Sequence, residues 1–107
     1  MKRVKFTESV MHLSLYLTSE GIPNAINYWY RDSDTQAKLV NAGASQTMKS
    51  LHLKGLAVDF LLFENDTYIT DGDHPYYETL GKRAKELGLI WGGDWTFNDA
   101  GHVEWKE

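Results

Sequence analysis

With 107 residues, a formal net charge of −4 and no cysteine, the chain has room for one domain with one core, and disulfides and thiolate metal sites are excluded. The acidic balance argues against a nucleic-acid-binding face, and four tryptophans with six tyrosines argue against disorder. The basic start, Met1-Lys2-Arg3-Val4-Lys5, runs into Thr7-Glu8-Ser9 rather than an apolar stretch, so no secretory signal is expected, and no run reaches membrane-spanning length.

Val10, Leu13 and Leu17 recur at helical spacing, which predicts a first helix capped by Thr7 or Ser9 and stopped by Gly21-Ile22-Pro23, with His12 on its surface. Residues 25–30 are aromatic and β-like. A second helix is predicted over 34–41, capped by Asp32 or Ser33 and ended by Gly43. A polar loop then leads to a strand over 56–63, in which Val58, Phe60 and Leu62 alternate with Ala57, Asp59 and Leu61. A carboxylate among apolar neighbours is costly to bury unless a cation accompanies it. His52 is the nearest residue able to share such a cation with Asp59. Seven residues of regular strand would send the two to opposite faces, so a bend is expected, and Gly55 is placed to allow it.

Glu64-Asn65-Asp66 predicts a turn, followed by a short strand around Tyr68-Ile69-Thr70. Asp71-Gly72-Asp73-His74-Pro75 lacks the ligand spacing of a calcium loop and reads as a turn and helix start, with His74 in solvent. A third helix is predicted over 75–87. Tyr76 or Tyr77, Leu80, Ala84 and Leu87 form its buried stripe, and Lys82, Arg83, Lys85 and Glu86 face water. Paired glycines permit a tight turn between Trp91 and Trp95. A terminal strand then puts His102 and Glu104 on one face and Val103 and Trp105 on the other.

His52, Asp59 and His102 form a candidate ligand set: two imidazoles and a carboxylate that leave Zn²⁺ a fourth position for water. Asp99 is near enough in sequence to His102 to serve as the base, and Glu104 competes for that role. Arg31 reads either as a salt-bridge partner or as a guanidinium that pairs with a substrate carboxylate.

Ser50-x-His52-x-x-Gly55-x-Ala57-x-Asp59 resembles the S-x-H-x-x-G-x-A-x-D signature of the M15 zinc peptidases. Trp91-Gly92-Gly93-Asp94-Trp95 and Asp99-x-x-His102 are similar to the second half of that pattern, especially in the phage endolysin branch. The resemblance implies that His52, Asp59 and His102 bind Zn²⁺, that Asp99 is the general base, and that Arg31 and Ser50 lie near the substrate. Arg31 matches the arginine of the family's Y-R-S element, although Asp32 stands where serine is usual. The implied fold is α+β and hedgehog or D-Ala-D-Ala peptidase-like: a small antiparallel sheet carrying the zinc ligands, with about three helices around it, in one catalytic domain over 1–107.

The implied function is that of an endolysin cutting peptidoglycan stem peptides at the L-alanyl-D-glutamate bond. A D-Ala-D-Ala carboxypeptidase or dipeptidase, or a non-catalytic zinc-stabilised binding module, is the alternative. The expected partner is peptidoglycan, met by a monomer made in the host cytoplasm and acting on the cell wall after release, without nucleic acid or membrane insertion.

Overall fold

A computed structural model of the chain describes residues 1–27 and 55–107. The helix predicted over 34–41 lies outside the described residues, as do Arg31, Ser50 and His52. The described part is α+β, with two helices and a small antiparallel sheet.

The first helix, α1, spans Lys2–Ser19, beginning five residues ahead of Thr7 with no side-chain cap. The reason is Phe6: it lies one turn before Val10 and is buried with Val10, Leu13 and Leu17, so tertiary packing carries the helix past the predicted caps. Thr7 sits inside the helix, its hydroxyl donating to the Arg3 carbonyl. The predicted stop holds. Gly21 adopts φ +77, its N–H donates to the Thr18 carbonyl and that of Ile22 to Leu17, forming a Schellman motif with Ile22 buried.

The other helix, α2, spans Pro75–Glu86 and ends the same way: Gly88 has φ +80, and Leu89 N–H donates to the Ala84 carbonyl. Its buried residues are Tyr77, Leu80, Gly81 and Ala84. His74 is half-buried rather than in solvent. Pro75 has no N–H, so the first amide to be satisfied is that of Tyr76, and His74 Nδ1 accepts it at 3.1 Å as the cap. Arg83 is likewise not simply solvated, because its guanidinium lies 4.9 Å over the Tyr16 ring of α1.

Strands β1 (Asn24–Asn27), β2 (Ala57–Glu64), β3 (Thr67–Tyr68), β4 (Ile90–Trp91) and β5 (His102–Glu104) form the sheet. The order is β1-β2-β5-β4, with β3 paired to the end of β2. A two-residue turn closes the β2–β3 hairpin, with both Asn65 and Asp66 at positive φ as the twist of a hairpin favours. Alternation along β2 sends Val58, Phe60 and Leu62 into the core with Val103 and the buried residues of α1 and α2. Asp59, on the opposite face, is only half-buried. Among the described residues no helix is long and apolar enough to cross a membrane.

Candidate active site

The site grows out of the β2–β5 register. Asp59 and His102 are direct Cα partners across this antiparallel pair, so the pleat puts their side chains on the same face, away from Val58 and Val103. Two residues further along β5, Glu104 returns to that face, opposite Ala57 of β2 and Ile90 of β4. The sharing of a face by His102 and Glu104 is as the sequence predicts.

Asp99 arrives from the loop before β5, which is pinned at four points. Its N–H donates to the Gly92 carbonyl at 3.0 Å, and its carbonyl accepts from His102 N–H at 3.0 Å. Trp91 Nε1 donates to the Ala100 carbonyl at 2.7 Å, and Phe60 N–H donates to the Gly101 carbonyl at 2.8 Å. Gly92 allows this close approach: a Cβ there would stand 2.4 Å from the Asp99 carbonyl oxygen. The indole of Trp91 passes so near Gly81 of α2 that a Cβ would lie 2.1 Å from the ring. The paired glycines therefore make a short 3₁₀ turn, Gly92–Asp94, and also make room for the indole that holds the Asp99 loop.

Three carboxylates surround the His102 ring, which is only 6% exposed. Nδ1 lies 3.3 Å from Asp59 Oδ1 and 3.8 Å from Asp99 Oδ2, whereas Nε2 lies 2.7 Å from Glu104 Oε1. Burial pushes the imidazole pKa down. The hydrogen bonds to Asp59 and Glu104, with the charges of Asp59 and Asp99, outweigh it and raise the value to about 9. The Trp95 ring covers one side of the imidazole, with centroids 4.9 Å apart.

One donor atom from each of Asp59, Asp99 and His102 lies within 4.8 Å of the others. These nitrogen and oxygen donors, gathered around concentrated negative charge, suit a divalent cation without any thiolate. Glu104 is outside that group. Asp99 also differs from Glu104 in access: its side chain is 45% exposed against 19%, and it lines a cleft of about 340 Å³ with Tyr68, Thr70, Asp73 and Asn98. Of the residues singled out in the sequence, the structure thus brings together Asp59, Asp99, His102 and Glu104. Sequence reasoning missed the supporting role of Trp91 and the tilted ring contact of Trp95 with His102, although the W-G-G-D-W run carries both residues.

The M15 peptidase family model described as D-alanyl-D-alanine carboxypeptidase matches residues 43–105. The L-alanyl-D-glutamate peptidase of Listeria phage A118 is 41% identical over 93 residues, which are 82% of this chain and 32% of that protein. The chain therefore spans about a third of the length of that curated relative. The crystal structure of the Serratia marcescens L-Ala D-Glu endopeptidase ChiX is similar at a TM-score of 0.66 and 33% identity, over 79% of this chain and 68% of that one.

Proposed function

This chain belongs to the M15 peptidase family, and on that premise we propose that it is a zinc-dependent peptidoglycan peptidase cutting the L-alanyl-D-glutamate bond of stem peptides. The observation that carries the reading is the facing pair Asp59 and His102 with Asp99 beside them on the wall of an open cleft. Both named relatives are peptidases of that bond, which supports the choice of substrate.

In this reading His52, Asp59 and His102 hold Zn²⁺. When bound, the ion supplies Lewis acidity toward the scissile carbonyl and makes hydroxide accessible near neutral pH. The chain's own residues do the rest. His102 contributes Nδ1, the ring nitrogen that faces Asp59 and Asp99. Asp99 takes the proton of the attacking water and returns it to the departing amine, so the hydroxyl ends on the alanyl carbon and the hydrogen on the glutamyl nitrogen. Glu104 is engaged by Nε2 at 2.7 Å and is less exposed, which favours Asp99 as the base. Arg31 and Ser50 bind the substrate. The protein is released as a monomer from the cytoplasm of the host to act on the wall.

Mass spectrometry of muropeptides digested by the purified chain tests the reading. Cleavage after the first L-alanine is expected. Loss of one terminal D-alanine would instead establish the carboxypeptidase activity that the description of the family model favours.

A further inference from the structure

We infer that Glu104 is a positioning residue, which acts through His102 by accepting a hydrogen bond from Nε2–H and so leaves the Nδ1 lone pair aimed at Asp59 and Asp99. The inference rests on the proposed role of His102 as a metal ligand.

Ligation of a metal requires the neutral imidazole, which carries one proton, and the neighbours of its two nitrogens decide where that proton sits. In this site both nitrogens face a carboxylate. Asp59 Oδ1 is 3.3 Å from Nδ1 and Glu104 Oε1 is 2.7 Å from Nε2. Without Glu104, the hydrogen bond to Asp59 would draw the proton to Nδ1, and the nitrogen facing the other donor atoms would have no lone pair to give. The shorter contact at Nε2 reverses that preference, because both partners are carboxylates and 2.7 Å lies within the range of a strong charge-assisted bond whereas 3.3 Å lies beyond it.

The contact is built into the fold. Glu104 lies on β5, which is hydrogen-bonded on one side to β2 and on the other to β4, so its backbone is fixed from both directions. Ala57, directly opposite on β2, is small and fully buried. The i, i+2 spacing on a strand holds carboxylate and imidazole on one face, and burial of the ring limits competition from water. The result is a carboxylate–histidine pair of the kind that orients ligands in metal sites.

The test measures Zn²⁺ affinity of the full chain by competition with a chromophoric chelator, for wild type, Glu104→Leu, Glu104→Gln and His102→Ala, with circular dichroism melts alongside. Glu104→Leu should weaken binding roughly 10- to 100-fold, and Glu104→Gln, whose amide oxygen still accepts from Nε2, should recover most of that loss. Nitrogen-15 NMR of the zinc-loaded wild type should place the His102 proton on Nε2.

A folded Glu104→Leu variant with wild-type affinity, or a glutamine variant as weak as leucine, would overturn the inference. Should the leucine variant fail to fold, the tautomer decides alone, and a proton on Nδ1 overturns it. Full affinity in His102→Ala would remove His102 from the ligand set, and both this inference and the proposed ligand assignment would fall. Loss of affinity in His102→Ala but not in a folded Glu104→Leu removes only the role of Glu104.

Discussion

The two faces of the β2–β5 pair are made from the same few residues and obey opposite rules. On one face Val58, Phe60, Leu62 and Val103 are fully or almost fully buried and belong to one apolar cluster with the buried residues of α1 and α2. On the other, Asp59, Glu104 and Asp99 each approach His102, concentrating negative charge around one buried ring. The first face lowers the free energy of the fold by removing hydrocarbon from water. The second concentrates like charges, which costs stability unless a proton or a cation offsets them. Residues one step apart in sequence therefore answer to different demands, and mutations can separate them.

The largest effect is expected on the polar face. Asp99→Ala should reduce peptidoglycan hydrolysis by about 10²–10⁴-fold, the usual contribution of a general base, while leaving the melting temperature nearly unchanged because the side chain is 45% exposed. Turbidity clearing of wall preparations beside thermal melts would measure both. Retained activity would move the role of base elsewhere.

The converse substitution is Phe60→Ala. Phe60 is among the largest fully buried side chains, and its loss should cost about 3–5 kcal/mol by leaving a cavity in the core. Urea denaturation should show a lower midpoint with a similar slope. Activity per folded molecule should fall far less than with Asp99→Ala. An unchanged midpoint would mean that the apolar face is not where stability resides.

The apolar face was the more legible of the two in sequence. Val10, Leu13 and Leu17, the 56–63 alternation and the helix over 75–87 all follow from local periodicity, and all are present. The start of α1 was not legible, because only the tertiary burial of Phe6 extends it to Lys2. The polar face could be read as a list of residues but not as an arrangement. Asp59 and His102 are 43 positions apart, and which ring nitrogen each carboxylate meets depends on a strand register that no local pattern encodes. On position alone Asp99 and Glu104 compete for the role of base in sequence, where only the family resemblance favours Asp99, and in the structure they differ in exposure and contacts.

Gly81→Ala probes the link between the faces. In a helix interior the change to alanine normally stabilises by about 1 kcal/mol. At this position the added Cβ would lie 2.1 Å from the Trp91 ring, which is confined on its other side by Gly93, where a Cβ would be as close, and which the bond to Ala100 holds in place. Overpacking should win, with a net loss of about 1–3 kcal/mol. Because Trp91 anchors Ala100, and Ala100 follows Asp99, activity per folded molecule should fall as well. Lost stability with full activity would show that the indole supports the core but not the site.

The smallest effect belongs to a polar group placed in the core. Tyr77 is buried, and its hydroxyl donates to the Ile69 carbonyl at 2.7 Å, tying α2 to the chain just after β3. Tyr77→Phe removes that bond and leaves the carbonyl without it, at a cost of about 1 kcal/mol. Burial, reinforced by the neighbouring Tyr68, pushes the phenol pKa up from 10.0 to about 12, so folding favours the protonated form. Its contribution is therefore complete below pH 10.0 and declines as pH rises toward about 12. The stability advantage of wild type over Tyr77→Phe should be constant from neutral pH to about 10 and shrink above it, measured by urea midpoints at matched ionic strength. An advantage that grew with alkalinity would mean that the ionised phenol is the form the core prefers, and Tyr77 would then belong with the charged face of the sheet rather than the apolar one.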